Sequence, residues 1–188
     1  MRSRVTLSIL VVMAVCSASA QAPSRDQILE AQLKIQRKPT PAMIAAGRKM
    51  YDVLCVMCHR FGPIGEDVGP DLTTVNSRFG KKEILEAILW PSKVISDQYE
   101  SELFGTADGK VHHGMVVRET ATALQIRTID SARPIVLQTS EITSRTKSPK
   151  SFMPEALIDS LSPTDIANLM AFIQAGPPKS DSAAPTLR

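Results

Sequence analysis

A chain of 188 residues has room for one domain, or for one domain with an insertion, and none for two domains of ordinary size. Hydrophobic residues at 43% and charged residues at 22% exclude a chain disordered throughout. Aromatic residues at 4%, with 22 basic side chains set against 19 acidic ones, leave neither a base-stacking surface nor a basic stripe, so nucleic acid is not an expected partner.

The N-terminus has the marks of an export signal. Arg2 and Arg4 precede an apolar run from Val5 to Val15, and Ala18-Ser19-Ala20 supplies the small-x-small pattern of a cleavage site. That run is too short to span a bilayer. Residues 1–20 are therefore expected to be removed, leaving a nearly neutral mature chain in the periplasm or otherwise outside the cytoplasm, without a transmembrane segment. A lipid anchor at Cys16 is the weaker alternative, because Val15 before it is larger than such processing usually accepts. Residues 21–39 read as a polar lead-in with a short helix around Asp26 to Arg37, and carry no chemistry of their own.

From Thr40, with Pro41 in the first turn, a helix is expected to run to Leu54, with Ile44, Gly47, Tyr51 and Leu54 along one face. It delivers Cys55-Val56-Met57-Cys58-His59, the pattern of covalent haem c attachment. A spacing of three residues puts both sulfurs on one side of a helical turn, where each can form a thioether with a porphyrin vinyl group, and His59 follows as an imidazole ligand for iron. A disulfide between Cys55 and Cys58 would close almost no loop and would staple little. Two other readings stay open: a redox dithiol, which wants a preceding strand, and a zinc knuckle, which needs further ligands, with only His112 and His113 to supply them.

Phe61 to Leu72 is rich in Gly and Pro and reads as a loop. A helix is expected from about Lys81 to Trp90, stopped by Pro91. Tyr99 to Lys147 is rich in Thr, Val and Ile. An Asp108-Gly109 hairpin signal and candidate strands at Val111 to Arg118, Leu124 to Ile129 and Ile135 to Leu137 predict a small antiparallel sheet or barrel there. His112 and His113 fall on opposite faces of the second strand and read as packed or surface side chains, with a distal haem ligand or a metal site as the sharper alternative. A final helix opens with Ser162 as N-cap and Pro163 at N1, and ends at Gly176-Pro177. Residues 177–188 read as a disordered tail.

CVMCH, Gly69-Pro70-Asp71-Leu72, Arg78-Phe79 and Ser151-Phe152-Met153-Pro154 together resemble a class I monohaem cytochrome c. The run from Gly69 to Ile95 is especially similar to a haem-binding domain of planctomycete, verrucomicrobial and acidobacterial proteins. The resemblance covers roughly residues 40–176 and implies a mainly α-helical haem domain, interrupted at 98–147 by the β-rich insertion. It implies one haem c and its iron as cofactor, with Cys55 and Cys58 as attachment sites and His59 as proximal ligand. Pro70 is then the carbonyl that orients His59, and Met153 the distal ligand. Gly47 and Tyr51 match a small-plus-aromatic pair that lets the first and last helices cross, and Arg78 and Trp90 are either haem-propionate contacts or a solvated Arg and a core Trp. The segment between His59 and Met153 is about twice as long as a small cytochrome needs, and none of the expected bonding residues lies in the insertion.

Such a protein is expected to be a monomer and an electron carrier rather than an enzyme, shuttling single electrons between a dehydrogenase or oxidoreductase complex and another redox protein, since iron with both axial positions filled offers none to a substrate. Alternatives from other classes are a peroxidase-like haem enzyme and a haem-based redox or gas sensor, each needing a labile distal ligand.

Overall fold

The computed structural model describes residues 22–131 and 133–179. The expected signal segment with Cys16, and the tail from residue 180 onward, lie outside them. Among the described residues the order is α1 (Arg25–Leu33), α2 (Pro41–Leu54), α3 (Val75–Arg78), α4 (Lys81–Leu89), β1 (Glu102–Thr106), β2 (Val111–Glu119), β3 (Ala123–Arg127), β4 (Ile135–Gln138), β5 (Ile142–Lys147) and α5 (Pro163–Ala175). The expectation of a mainly α protein is therefore corrected: the fold is mixed α/β, with a five-stranded antiparallel sheet as a principal element. The sheet counts as a principal element because it buries a core of its own.

Local chemistry accounts for the helices. The Thr40 hydroxyl accepts from Met43 N at 3.3 Å and Pro41 occupies the first turn of α2. Ser162 caps α5 in the same way, its Oγ accepting from Asp165 N at 3.1 Å, and Gly176 ends that helix with φ +87°. Helix α4 stops at Trp90, before Pro91.

Helices α2 and α5 cross closely at Gly47, where a β-carbon would lie 1.9 Å from the Asn168 carbonyl oxygen. Only glycine permits that approach. Below the crossing, Tyr51, Phe61 and Phe172 form a buried aromatic trio with centroids 5.4 to 5.7 Å apart. Leu85, Leu89, Ile158, Ile166, Leu169 and Met170 complete the helical core, each such buried side chain stabilising the fold by roughly 2 kcal/mol. Helix α1 belongs to this body: Ile28 and Leu29 are buried in it, and Gln32 Nε2 donates to the Pro163 carbonyl at 2.7 Å.

The sheet runs β4-β3-β2-β1-β5. Its β1–β2 hairpin turns at Gly109, with φ +81°, as the Asp108-Gly109 pair predicts. One face buries Phe104, Leu124, Ile126 and Leu137, with Val116, Ile135 and Ile142 at its margin. In register, His112 stands opposite Phe104 and His113 opposite Leu103, so the two histidines face opposite sides. Met115 stands opposite Arg127 on the same face as His113.

Candidate functional site

Helix α2 ends at Cys55, and the chain continues in one tight turn in which Cys58 N and His59 N both donate to the Cys55 carbonyl, at 3.0 and 2.9 Å. Both cysteines are half-buried and unpaired. Burial pushes the Cys55 thiol up to about 12, reinforced by the neighbouring Cys58. Cys58 is also raised by burial, opposed by the positive charge of Arg127 on β3. Both are thus held as neutral thiols, in contrast to the acidic thiolate of a redox dithiol.

The loop after the motif folds back over His59. Val68 N and Gly69 N donate to the Cys58 carbonyl at 3.0 and 2.7 Å, and the Tyr51 hydroxyl donates to the His59 carbonyl at 2.5 Å. This brings the Pro70 carbonyl 2.8 Å from His59 Nδ1. A carbonyl only accepts, so Nδ1 carries the proton and Nε2 keeps its lone pair. Burial lowers the affinity of the ring for a second proton, and the Pro70 contact opposes that only in part. The face of the imidazole lies against Gly69, where a β-carbon would come within 2.7 Å of Cε1. Tyr51, expected only to pack, therefore also fixes the backbone of His59.

Met153 lies in a different place, in a cleft of about 290 Å³ lined by His113, Ile129, Lys150, Ser151, Phe152, Met153, Pro154 and Glu155. Cys55, Cys58 and His59 do not line it. The two places are joined through the sheet. His113 borders the Met153 cleft, Met115 follows it on the same face roughly 7 Å along the strand, and Arg127 opposite Met115 is the charge felt by Cys58.

The strap carrying Met153 is gripped from both sides. The Met153 amide donates to Ser151 Oγ at 3.1 Å, and the Ser151 amide to Ser92 Oγ at 3.1 Å. Ser92 donates to Glu155 at 2.6 Å, and Glu155 pairs with Arg25 of α1 at 3.1 Å. On the sheet side Ser101 Oγ contacts both His113 Nε2 and the Lys150 carbonyl, and the His113 ring meets Phe152 edge-on. Sequence reasoning did not single out Ser92, Ser101 or Arg127. Lone serines and an arginine in a strand carry no spacing signal.

Arg78 is exposed, with its guanidinium near the Asp71 carbonyl and over Phe79, while Trp90 packs at the margin of the helical core. Among the described residues no three of His, Cys, Asp and Glu converge as metal ligands, so the zinc alternative finds no ligand set there. Also among them, no helix is long and apolar enough to cross a membrane. No family model matches the chain, and no curated protein matches it.

The donor chemistry fits a covalently held haem. Two neutral, unpaired thiols three positions apart in one turn are followed directly by a neutral imidazole whose orientation is set by a carbonyl. Met153 supplies a soft thioether from the strap that lines the separate cleft.

Proposed function

We propose that this chain is an exported monohaem c-type cytochrome that carries single electrons between protein redox partners and is not an enzyme. The observation that carries the reading is His59. Its Nδ1 is committed to the Pro70 carbonyl at 2.8 Å while Nε2 is left to ligate, directly after two unpaired thiols. A bound haem would supply a one-electron iron couple; Cys55 and Cys58 would hold it through thioethers, and His59 and Met153 would be the side chains that ligate its iron. Met153 offers a neutral sulfur, which favours reduced iron and a higher potential. Arginine and lysine are nearly balanced by acid over the expected mature chain, so partner choice rests on local charge around the site, of which Arg127, whose positive charge acts on Cys58, is one element.

The test is expression with export and cytochrome-maturation machinery. The protein is expected to carry one haem that survives denaturation and acid extraction, and Cys55→Ala with Cys58→Ala to lose it. An unmodified mass with bound zinc overturns the reading. Carbon monoxide added to the reduced protein separates a carrier, which binds it slowly or not at all, from a peroxidase or sensor with a labile distal position.

A further inference from the structure

We propose that His113 and Ser101, both in the β-rich segment, are positioning residues that hold the Met153 strap in place, an inference that rests on the haem reading above. Ser101 is 1% exposed, so each of its polar contacts is made within the protein. Its single hydroxyl proton points to the Lys150 carbonyl at 3.1 Å, which leaves Oγ as acceptor for His113 Nε2–H at 2.7 Å. The result is a directed chain from the β2 imidazole through the Ser101 hydroxyl to the strap backbone. The Ser101 carbonyl takes a second hold, accepting from Ser148 N at 2.8 Å. Phe152, the residue before Met153, meets the His113 ring at 5.9 Å between centroids and 68° between planes.

His113 is half-buried on β2, and its side chain contacts Ser101 Oγ and the ring of Phe152. The opposite side of the strap is held by Ser92 and Glu155 from the helical body. The Met153 strap is thus held between the helical body and the sheet, and removing His113 releases one of its two holds.

The experiment compares wild type, His113→Ala, His113→Gln and Ser101→Ala, all matured with haem. In His113→Ala the haem stays covalent by mass, the weak long-wavelength sulfur-to-iron band of the oxidised protein declines, and carbon monoxide affinity of the reduced protein rises about tenfold, the effect of losing one hydrogen bond and one ring contact. Ser101→Ala reproduces this, and His113→Gln largely restores wild-type behaviour because its amide can donate to Ser101. Band and carbon monoxide affinity unchanged in both alanine variants overturn the proposal. So does a wild type without the sulfur band in which added imidazole repairs His113→Ala, because His113 would then be the ligand itself. A wild type carrying no covalent haem defeats the haem reading instead, before any variant is compared. In that case amide exchange at Lys150 to Met153 still judges the clamp: faster exchange in His113→Ala supports it, and equal exchange overturns it.

Discussion

Gly69→Ala tests whether the proximal histidine is held as described. The added β-carbon would lie 2.7 Å from His59 Cε1, 3.1 Å from Nδ1 and 3.2 Å from Nε2. Ordinary carbon contacts need about 3.5 Å or more, so ring and loop must part by ~1 Å. The loop cannot yield cheaply, because Gly69 N is bound to the Cys58 carbonyl at 2.7 Å. The ring must move instead, which stretches its 2.8 Å bond to Pro70 past hydrogen-bonding range. Losing that bond costs about 1 kcal/mol, and residual overpacking adds ~1 kcal/mol or more. A total near 2 kcal/mol corresponds to a fall in Tm of roughly 4 to 8 °C for a domain of this size. Thermal and urea denaturation of the haem-free chain measure it, in a double-mutant cycle with His59→Ala. With the ring truncated the methyl has nothing to strike, so Gly69→Ala should then cost little. An undiminished penalty in the His59→Ala background, or none in the wild type, refutes the account.

In the haem-free chain at pH 8, the Cys55 thiol, raised to about 12 by burial, should be alkylated far more slowly than a free cysteine, its thiolate fraction being about a thousandfold smaller; peptide mapping after timed iodoacetamide treatment checks this. The His59 ring is kept neutral by burial, so its folded pKa lies below the unfolded value of about 6.5. Protonation then favours the unfolded chain: this contribution to stability is complete above about pH 6.5 and is lost as pH falls through and below it. Urea titrations from pH 7.5 to 5 should show that slope in the wild type and a shallower one in His59→Gln.

What was legible in the sequence was what local chemistry encodes. Thr40-Pro41 and Ser162-Pro163 mark where α2 and α5 begin, because a cap needs only its own first turn. Asp108-Gly109 marks the hairpin for the same reason. Strand β5 carries no strand signal in its sequence because Ile142-Thr-Ser-Arg-Thr-Lys has one apolar residue and an almost wholly exposed pattern; it forms because β1 offers it a partner. Helix α3 is four residues long, too short to show a period. At the site, CVMCH and Pro70 were readable because they are close in sequence, and the structure brings His59 and Pro70 together. The tie between His113 and the Met153 strap depends on Ser101, Lys150 and Phe152 meeting through tertiary packing, which no sequence spacing announces.

Replacing Gln98 to Lys147 with a short linker asks how these two levels combine. The proximal half should survive: Cys55, Cys58 and His59 are carried by α2, the Gly69-Pro70 loop and Tyr51, and the α2–α5 crossing at Gly47 involves no strand. Covalent haem is therefore expected at wild-type yield. The distal half should not survive intact, because the strap would keep Ser92 and the Glu155–Arg25 pair but lose Ser101, His113 and the edge contact to Phe152. Losing two hydrogen bonds and a ring contact removes ~2 kcal/mol or more of restraint, enough to leave the sulfur band of the shortened protein weak and its reduced iron open to carbon monoxide. The sheet has its own core in Phe104, Leu124, Ile126 and Leu137, so the segment should fold when expressed alone, and the change in the haem domain can be assigned to lost contact rather than general collapse. A shortened protein with a full sulfur band would show that the helical body alone holds Met153. Failure to attach haem would show that the sheet also supports the thioether side, with Arg127, whose charge acts on Cys58, as the first residue to examine.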